Sequence, residues 1–233
     1  MQGLTGYTVR NAFHHHFDYI DKYYTPFIPA AKRMNSKIKR DIDPVNNDGI
    51  TLIPQAMSIV ADEVIDLHRQ LVPYGYDEIN VNLGCPSGTV VSKKRGSGIL
   101  AYPDMLDSFL DELYTKADFP VSIKTRVGFN DDELWPRLIE IYSKYPISEL
   151  TVHPRVQKDF YKNTPRMDDF ALAMQKINPD KTTLCYNGDI TDTNSFNALT
   201  DRFPDIDEIM IGRGLFANPA LIAELKGISM DKA

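Results

Sequence analysis

The sequence predicts a (β/α)8 barrel, on three observations. Short β-branched runs alternate with amphipathic helical stretches along the whole chain, no linker interrupts the alternation, and polar or glycine residues recur just past one strand after another. Strands separated by helices need crossover connections, and these favour a parallel sheet covered by helices. Seven strands are legible. The closed form of this repeat has eight strands and about 250 residues, so the expectation is one domain over 1–233 in which the barrel lacks its first strand. An open doubly wound sheet would carry a Gly-rich phosphate loop after its first strand; no GxGxxG stands there.

Taken in order, residues 7 to 19 read as a helix, with Val9, Phe13, Phe17 and Ile20 on one stripe. Tyr23 to Ala30 reads as a strand, followed by a basic connection from Lys32 to Arg40. Thr51 to Met57 is the next strand; Ser58 then caps a helix whose apolar side carries Val60, Val64, Ile65, Leu67, His68 and Leu71. Asp77 to Asn82 is a strand, 92 to 98 a Gly-rich connection, Pro103 to Lys116 a helix and Val121 to Arg126 a strand. Asn130 with Glu133 resembles a capping box for a helix reaching Lys144. Glu149 to His153 (strand), 168 to 177 (helix), Thr182 to Asn187 (strand), Asp192 to Phe203 (helix) and Glu208 to Ile211 (strand) follow, and Asn218-Pro219 announces a closing helix.

One stretch stands out. The strand ending at Asn82 runs into Gly84-Cys85-Pro86. Glycine permits a tight backbone and proline cannot continue a ladder, so Cys85 should stand on a turn at the strand's carboxyl end, out of the core. The carboxyl rim carries the chemistry in a parallel barrel. Around it the sequence places Gln55, then Asn82 with Cys85, Lys124 and Arg126, His153 and Arg155, Asn187-Gly188-Asp189, and Gly212-Arg213-Gly214. Glycine N–H groups after the last two strands suit a phosphate, with Arg213 adding a charge-assisted contact. The Gln55 amide and the Lys124 cation suit the edge of a flavin that becomes anionic on reduction. Cys85 would then face a substrate as a proton donor.

Composition bounds the rest. A net charge of −6 argues against wholesale coating of nucleic acid, so such a partner must meet a local basic patch. Two cysteines make no disulfide framework, which suits a reducing cytoplasm, and no apolar run approaches the length of a membrane helix. Basic residues do cluster: Lys93, Lys94 and Arg95 follow the cysteine turn, and Arg126, Arg155, Lys158, Lys162 and Arg166 are expected in rim loops beside Phe160 and Tyr161, a mixture suited to a splayed nucleotide. His14-His15-His16 on a helix cannot share a face, so no metal site is expected; Cys185 and Trp135 read as packing residues.

The chain resembles the tRNA-dihydrouridine synthases, flavin enzymes that reduce a uridine of tRNA at its 5,6 double bond. The resemblance rests on Met1-Gln-Gly-Leu-Thr-Gly, Val81-Asn-Leu-Gly-Cys-Pro with Lys94-Arg-Gly-Ser-Gly-Ile-Leu, Ile123-Lys-Thr-Arg-Val-Gly, His153-Pro-Arg with Tyr161, Tyr186-Asn-Gly-Asp-Ile, and Ile211-Gly-Arg-Gly with Asn218-Pro. It implies FMN held by Met1, Gln55, Lys124, His153, Asn187 to Asp189 and Gly212-Arg213, and NADPH or NADH as reductant. It also implies Cys85 as proton donor, and tRNA as substrate near Asn82, Lys93, Lys94, Arg95, Arg126, Arg155 and Lys158. The family's usual opening strand and carboxyl-terminal helical domain are not found, so a fragment or early-terminated reading is expected, with exposed strand edges that would leave the piece by itself poorly soluble or inactive. A cytoplasmic enzyme, monomeric at full length, without metal or membrane, is expected. The alternatives are another FMN barrel of the dihydroorotate dehydrogenase kind, and an inactive RNA-binding relative.

Overall fold

The computed structural model describes residues 3–17, 19–29 and 33–228. Its strands are β1 (Tyr23–Tyr24), β2 (Ile28–Pro29), β3 (Leu52–Ile53), β4 (Gln55–Met57), β5 (Ile79–Leu83), β6 (Val121–Gly128), β7 (Glu149–Val156), β8 (Thr183–Tyr186) and β9 (Glu208–Ile209). β2, β4, β5, β6, β7, β8 and β9 form one parallel sheet whose spatial order repeats the chain order, and β1 pairs with β3 just upstream of the β2–β4 pair. A doubly wound sheet would reverse its order at a switch point; this one never does, which is the barrel arrangement.

The sheet curls on itself. Among the described residues β2 and β9 share no ladder, yet Lys22, just ahead of β1, reaches Glu149 at the start of β7 (2.5 Å) and Glu208 at the start of β9 (2.7 Å). The Tyr24 hydroxyl also donates to Glu149 (2.8 Å). The amino ends of the first and last strands therefore meet through a clasp of charge. Burial pushes Glu149 up, but hydrogen bonds from Lys22 and Thr151 outweigh it and hold the carboxyl below its ordinary range. Buried Cys185 completes this cluster; burial and the nearby Glu149 push its thiol far up, so it stays protonated.

Alternation along the strands separates two environments. Ile79, Val81 and Leu83 of β5, Val121, Ile123 and Val127 of β6, and Leu150 and Val152 of β7 all join the apolar core. That core is completed by the helices Ala61–Leu71, Pro103–Lys116, Trp135–Tyr142 and Met167–Lys176. Trp135 is fully buried there, its indole N–H satisfied by the Asp169 carbonyl (2.8 Å). The intervening strand positions face the bore and are polar: Asn80, Asn82, Ser122, Lys124, Arg126, Glu149, Thr151, His153 and Arg155. Buried polar groups are costly unless paired, so the bore is laced by cross-strand bonds, beginning with Gln55 to Asn80 and Asn82 to Gln55, both 2.8 Å.

Local expectations depart from the structure at element ends. The first helix stops at His16, and the basic stretch expected as a connection contains the helix Ser36–Ile42, capped by the Asn35 side chain accepting from the Ile38 N–H. Val60 is exposed and ends up as the cap position of Ala61–Leu71, so Ser58 stands one turn early; its hydroxyl accepts the Val60 N–H and donates to Glu63. The Asn130–Glu133 box does not form, because Pro136 suits the first turn of a helix and sets the start at Trp135. The closing helix begins at Leu221, with the Asn218 side chain accepting from the Ala220 N–H ahead of it. No helix among the described residues is long and apolar enough to cross a membrane.

Removing Lys22 strands two carboxylates at the closed end of the bore. Lys22→Met should lower the free energy of unfolding by about 3 kcal/mol in urea titrations, with Lys22→Arg recovering most of it; an unchanged midpoint for Lys22→Met would rule out the clasp.

Candidate functional site

At the other end of the bore the strand ends deliver their side chains to one mouth. β5 ends at Leu83, and the Asn82 carboxamide oxygen accepts the N–H groups of Gly84 (3.2 Å) and Cys85 (2.9 Å), folding the chain sharply over the strand end. Cys85 is consequently half-buried, as the Gly-Cys-Pro sequence predicted, while its carbonyl accepts from the Ser97 N–H and hydroxyl. Gly96 makes that contact possible: its φ is +54°, and an added Cβ would lie 2.7 Å from the Cys85 carbonyl oxygen. The Gly-rich connection is thus a packed 3-10 segment, Gly96–Ala101, rather than a loose loop.

Lys124 and Arg126 project from β6 beside this turn. The Lys124 ammonium donates to the Asn187 side chain (2.6 Å), which in turn donates to the Met210 carbonyl (2.8 Å), joining β6, β8 and β9. Burial, then the charge of Arg126, lowers Lys124 to about 8. Arg126 donates to the carbonyls of Gly84 (2.9 Å), Val156 (3.0 Å) and Phe160 (2.8 Å), and burial brings it down to about 10.

From β7 come His153 and Arg155. One Arg155 guanidinium nitrogen lies 3.1 Å from His153 Nε2, and the guanidinium pairs with both carboxylate oxygens of Asp189. A guanidinium only donates, so Nε2 must accept and the ring proton sits on Nδ1, which has no partner among the described residues. Burial, then Lys124, Arg126, Arg155 and Arg213, drives the imidazole far below its ordinary pKa and keeps it neutral. Asp189 also accepts from Arg213 (2.6 Å), which hydrogen bonds to both arginines hold below the usual carboxylate range. Gly188 is required by close packing, since an added Cβ would fall 2.1 Å from the Tyr186 hydroxyl. The Tyr161 ring lies over this group, stacked on His153 at 6.3 Å, with Arg213 at 4.7 Å and Arg126 at 5.5 Å from its centre.

Most of the expected mouth residues are therefore linked: Gln55 to Asn82, Asn82 to the Cys85 turn, that turn to Arg126, Lys124 to Asn187, and His153 through Arg155 and Asp189 to Arg213. Gly212 immediately precedes the short helix Arg213–Ala217; Met1 lies outside the described residues. Two placements are corrected. Arg126 and Arg155 were expected in rim loops, but they belong to β6 and β7, are nearly fully buried, and have their guanidinium groups occupied by backbone and Asp189. Arg95 is likewise engaged, by Glu63 at 3.0 Å. Lys93, Lys94 and Lys158 are exposed, with the Lys94 ammonium 4.4 Å from the centre of the half-exposed Tyr102 ring.

Four cationic side chains, Lys124, Arg126, Arg155 and Arg213, act on His153, and Asp189 is the carboxylate hydrogen-bonded to them among the described residues. The mouth thus carries surplus positive charge, N–H donors with spare capacity on Lys124 and His153, and the neutral amides of Gln55 and Asn82. That donor set fits an anionic, hydrogen-bond-accepting group such as the phosphate and ring edge of a flavin. A metal is better matched by the Glu149–Cys185–Glu208 cluster at the opposite end, whose charge Lys22 already answers.

The chain is similar to several proteins named for one activity. The chain is 34% identical over 154 residues to a protein named probable tRNA-dihydrouridine synthase from Staphylococcus aureus strain Mu50, covering 64% of this chain and 46% of that one. It is 29% identical over 168 residues to tRNA-dihydrouridine synthase B of Pasteurella multocida strain Pm70, covering 72% and 49%. A Staphylococcus epidermidis protein, also named probable tRNA-dihydrouridine synthase, is 32% identical over 152 residues, covering 64% and 46%. The matched region is about half the length of these relatives. The family model for dihydrouridine synthase (Dus) matches residues 1–232, and the chain belongs to that family.

Proposed function

We propose that this chain is the catalytic barrel of a cytoplasmic tRNA-dihydrouridine synthase that uses FMN and takes its electrons from NADPH or NADH. The observation that carries the reading is the juxtaposition of a half-exposed thiol, Cys85, with a buried cluster of cations around a neutral imidazole. Gln55, Lys124, His153, the Asn187 to Asp189 turn and Gly212-Arg213 would hold FMN, which when bound supplies the hydride for carbon 6 of the uracil. Family membership favours this substrate over a free pyrimidine such as orotate.

The chain's own residues do the remaining work. Cys85 gives its proton to carbon 5, so the π bond between C5 and C6 is replaced by two new C–H bonds while the σ bond remains, the S–H bond breaks, and the thiolate left behind takes a proton from solvent. Lys124 and His153 Nδ1 supply donors to the electron-rich edge of the cofactor, inside a wall that excludes water. A uridine must leave the base stack to reach a barrel mouth. The exposed Phe160 and Tyr161 rings close in the chain to Lys158, and Tyr102 beside Lys94, provide stacking faces next to positive charge for the unstacked strand.

Cys85→Ala should leave flavin reduction by NADPH within about twofold while dihydrouridine formation in tRNA falls by about two to three orders of magnitude. Rapid-mixing absorbance and mass spectrometry of the product tRNA separate the steps; undiminished tRNA reduction would remove the thiol from the mechanism. Lys124 gives up its proton near 8, well below an ordinary lysine, so the positive charge is present at pH 7 and lost as pH rises. FMN affinity, read by fluorescence titration, should weaken between pH 7 and 9, and Lys124→Met should flatten that dependence. Replacing Lys93, Lys94 or Lys158 by Glu should weaken tRNA binding and reduce the slope of log affinity against log salt by about one each; identical slopes would place the RNA elsewhere.

A further inference from the structure

Gln157 has no part in the chemistry above, and its surroundings in sequence gave no reason to single it out. In the structure its side-chain amide donates to the Pro86 carbonyl at 3.0 Å. With that bond, three successive carbonyls of the thiol turn are all held from other parts of the fold: Gly84 by Arg126 Nε (2.9 Å), Cys85 by Ser97 (2.9 Å from the hydroxyl), and Pro86 by Gln157. A cysteine has a single side-chain torsion before sulfur, so for a given backbone Sγ has only the three staggered positions to choose from, and a shift of that backbone moves all three.

We propose that Gln157 is a positioning residue for the Cys85 thiol, tying the turn that bears it to the loop that carries Tyr161. This rests on the reading of Cys85 as proton donor. The linkage is circular. Arg126 joins Gly84 of the thiol turn to the carbonyls of Val156 and Phe160, and Gln157, which lies between those two residues, returns the connection to Pro86. The loop itself is held in a sparsely populated conformation: Phe160 has φ +52° and ψ −93°, a costly geometry for a residue with a side chain. It is kept there by Arg126 and by Asp159, whose carboxylate accepts the Val156 N–H (3.1 Å) and pairs with Arg166. Tyr161 follows directly and covers His153. The thiol turn and the ring over the cation cluster therefore share one rigid frame, and Gln157 is the strut that can be removed without touching the cofactor-binding side chains.

The test uses the full 233-residue chain. Gln157→Met keeps the length of the side chain and removes the donor; Gln157→Lys restores an N–H donor at similar reach. Gln157→Met should lower kcat for uridine reduction by about tenfold, with KM for tRNA and flavin reduction by NADPH within about twofold, because proton delivery depends on sub-ångström placement and the earlier step does not. In the cofactor-free protein, alkylation of Cys85 by iodoacetamide, with buried Cys185 as internal control, should change by about threefold or more, and Gln157→Lys should return both measures toward the parent values. Unchanged alkylation and kcat in Gln157→Met would overturn the proposal. So would a loss of kcat that Gln157→Lys fails to restore, or one matched by an equal loss of flavin reduction. If this chain by itself does not reduce tRNA, as the expectation of a fragment allows, the alkylation rates alone decide whether Gln157 positions the thiol.

Discussion

One guanidinium holds the mouth of this barrel together. Arg126 leaves β6 pointing into the bore and spends its donors on Gly84, Val156 and Phe160, so the cysteine turn and the loop after β7 are fixed relative to the same side chain. Its planar fork suits this better than a lysine would, because several directed N–H groups leave one rigid plane. The charge is buried and, among the described residues, is hydrogen-bonded to peptide carbonyls rather than to a carboxylate, and these carbonyls, each the negative end of a dipole, make its burial tolerable.

That arrangement has an electrostatic consequence. Lys124, Arg126, Arg155 and Arg213 crowd one small volume, and Asp189 meets only the latter two. Burial first, and this surplus after it, lowers Lys124 to about 8 and keeps His153 neutral. Like charges kept together without full compensation create a potential that attracts an anion. At the opposite end of the bore Glu149 and Glu208 are tied together by Lys22, and this is where stability rather than chemistry is expected in a parallel barrel.

The two ends also differ in how far local sequence could reveal them. At the mouth, strand, glycine and a polar residue recur in phase, so Cys85, Lys124, His153, Asn187 and Arg213 are legible one unit at a time. The clasp at the closed end joins residues far apart in the chain, Lys22 with Glu149 and Glu208, and nothing about a lysine before a strand marks it as a cross-barrel ligand. Gln157 and Ser97 escaped for the same reason: each matters through a single contact with a distant backbone carbonyl.

The sequence alone determined the main alternation of strands and helices, the parallel barrel and the turn that lifts Cys85 out of the core, though not the helix Ser36–Ile42 or the division of the first two predicted strands. These follow from periodicity, from backbone limits of glycine and proline, and from the crossover rule, all of which act over a few residues. Only the tertiary structure decided which charges are free. Arg126 and Arg155 read in sequence as loop cations for RNA, but the curling of the sheet turns their side chains inward and engages their donors, leaving Lys93, Lys94 and Lys158 outside. Burial and pairing are properties of the curled sheet, so a linear pattern carries residue type and phase but not which hydrogen bonds each side chain will meet.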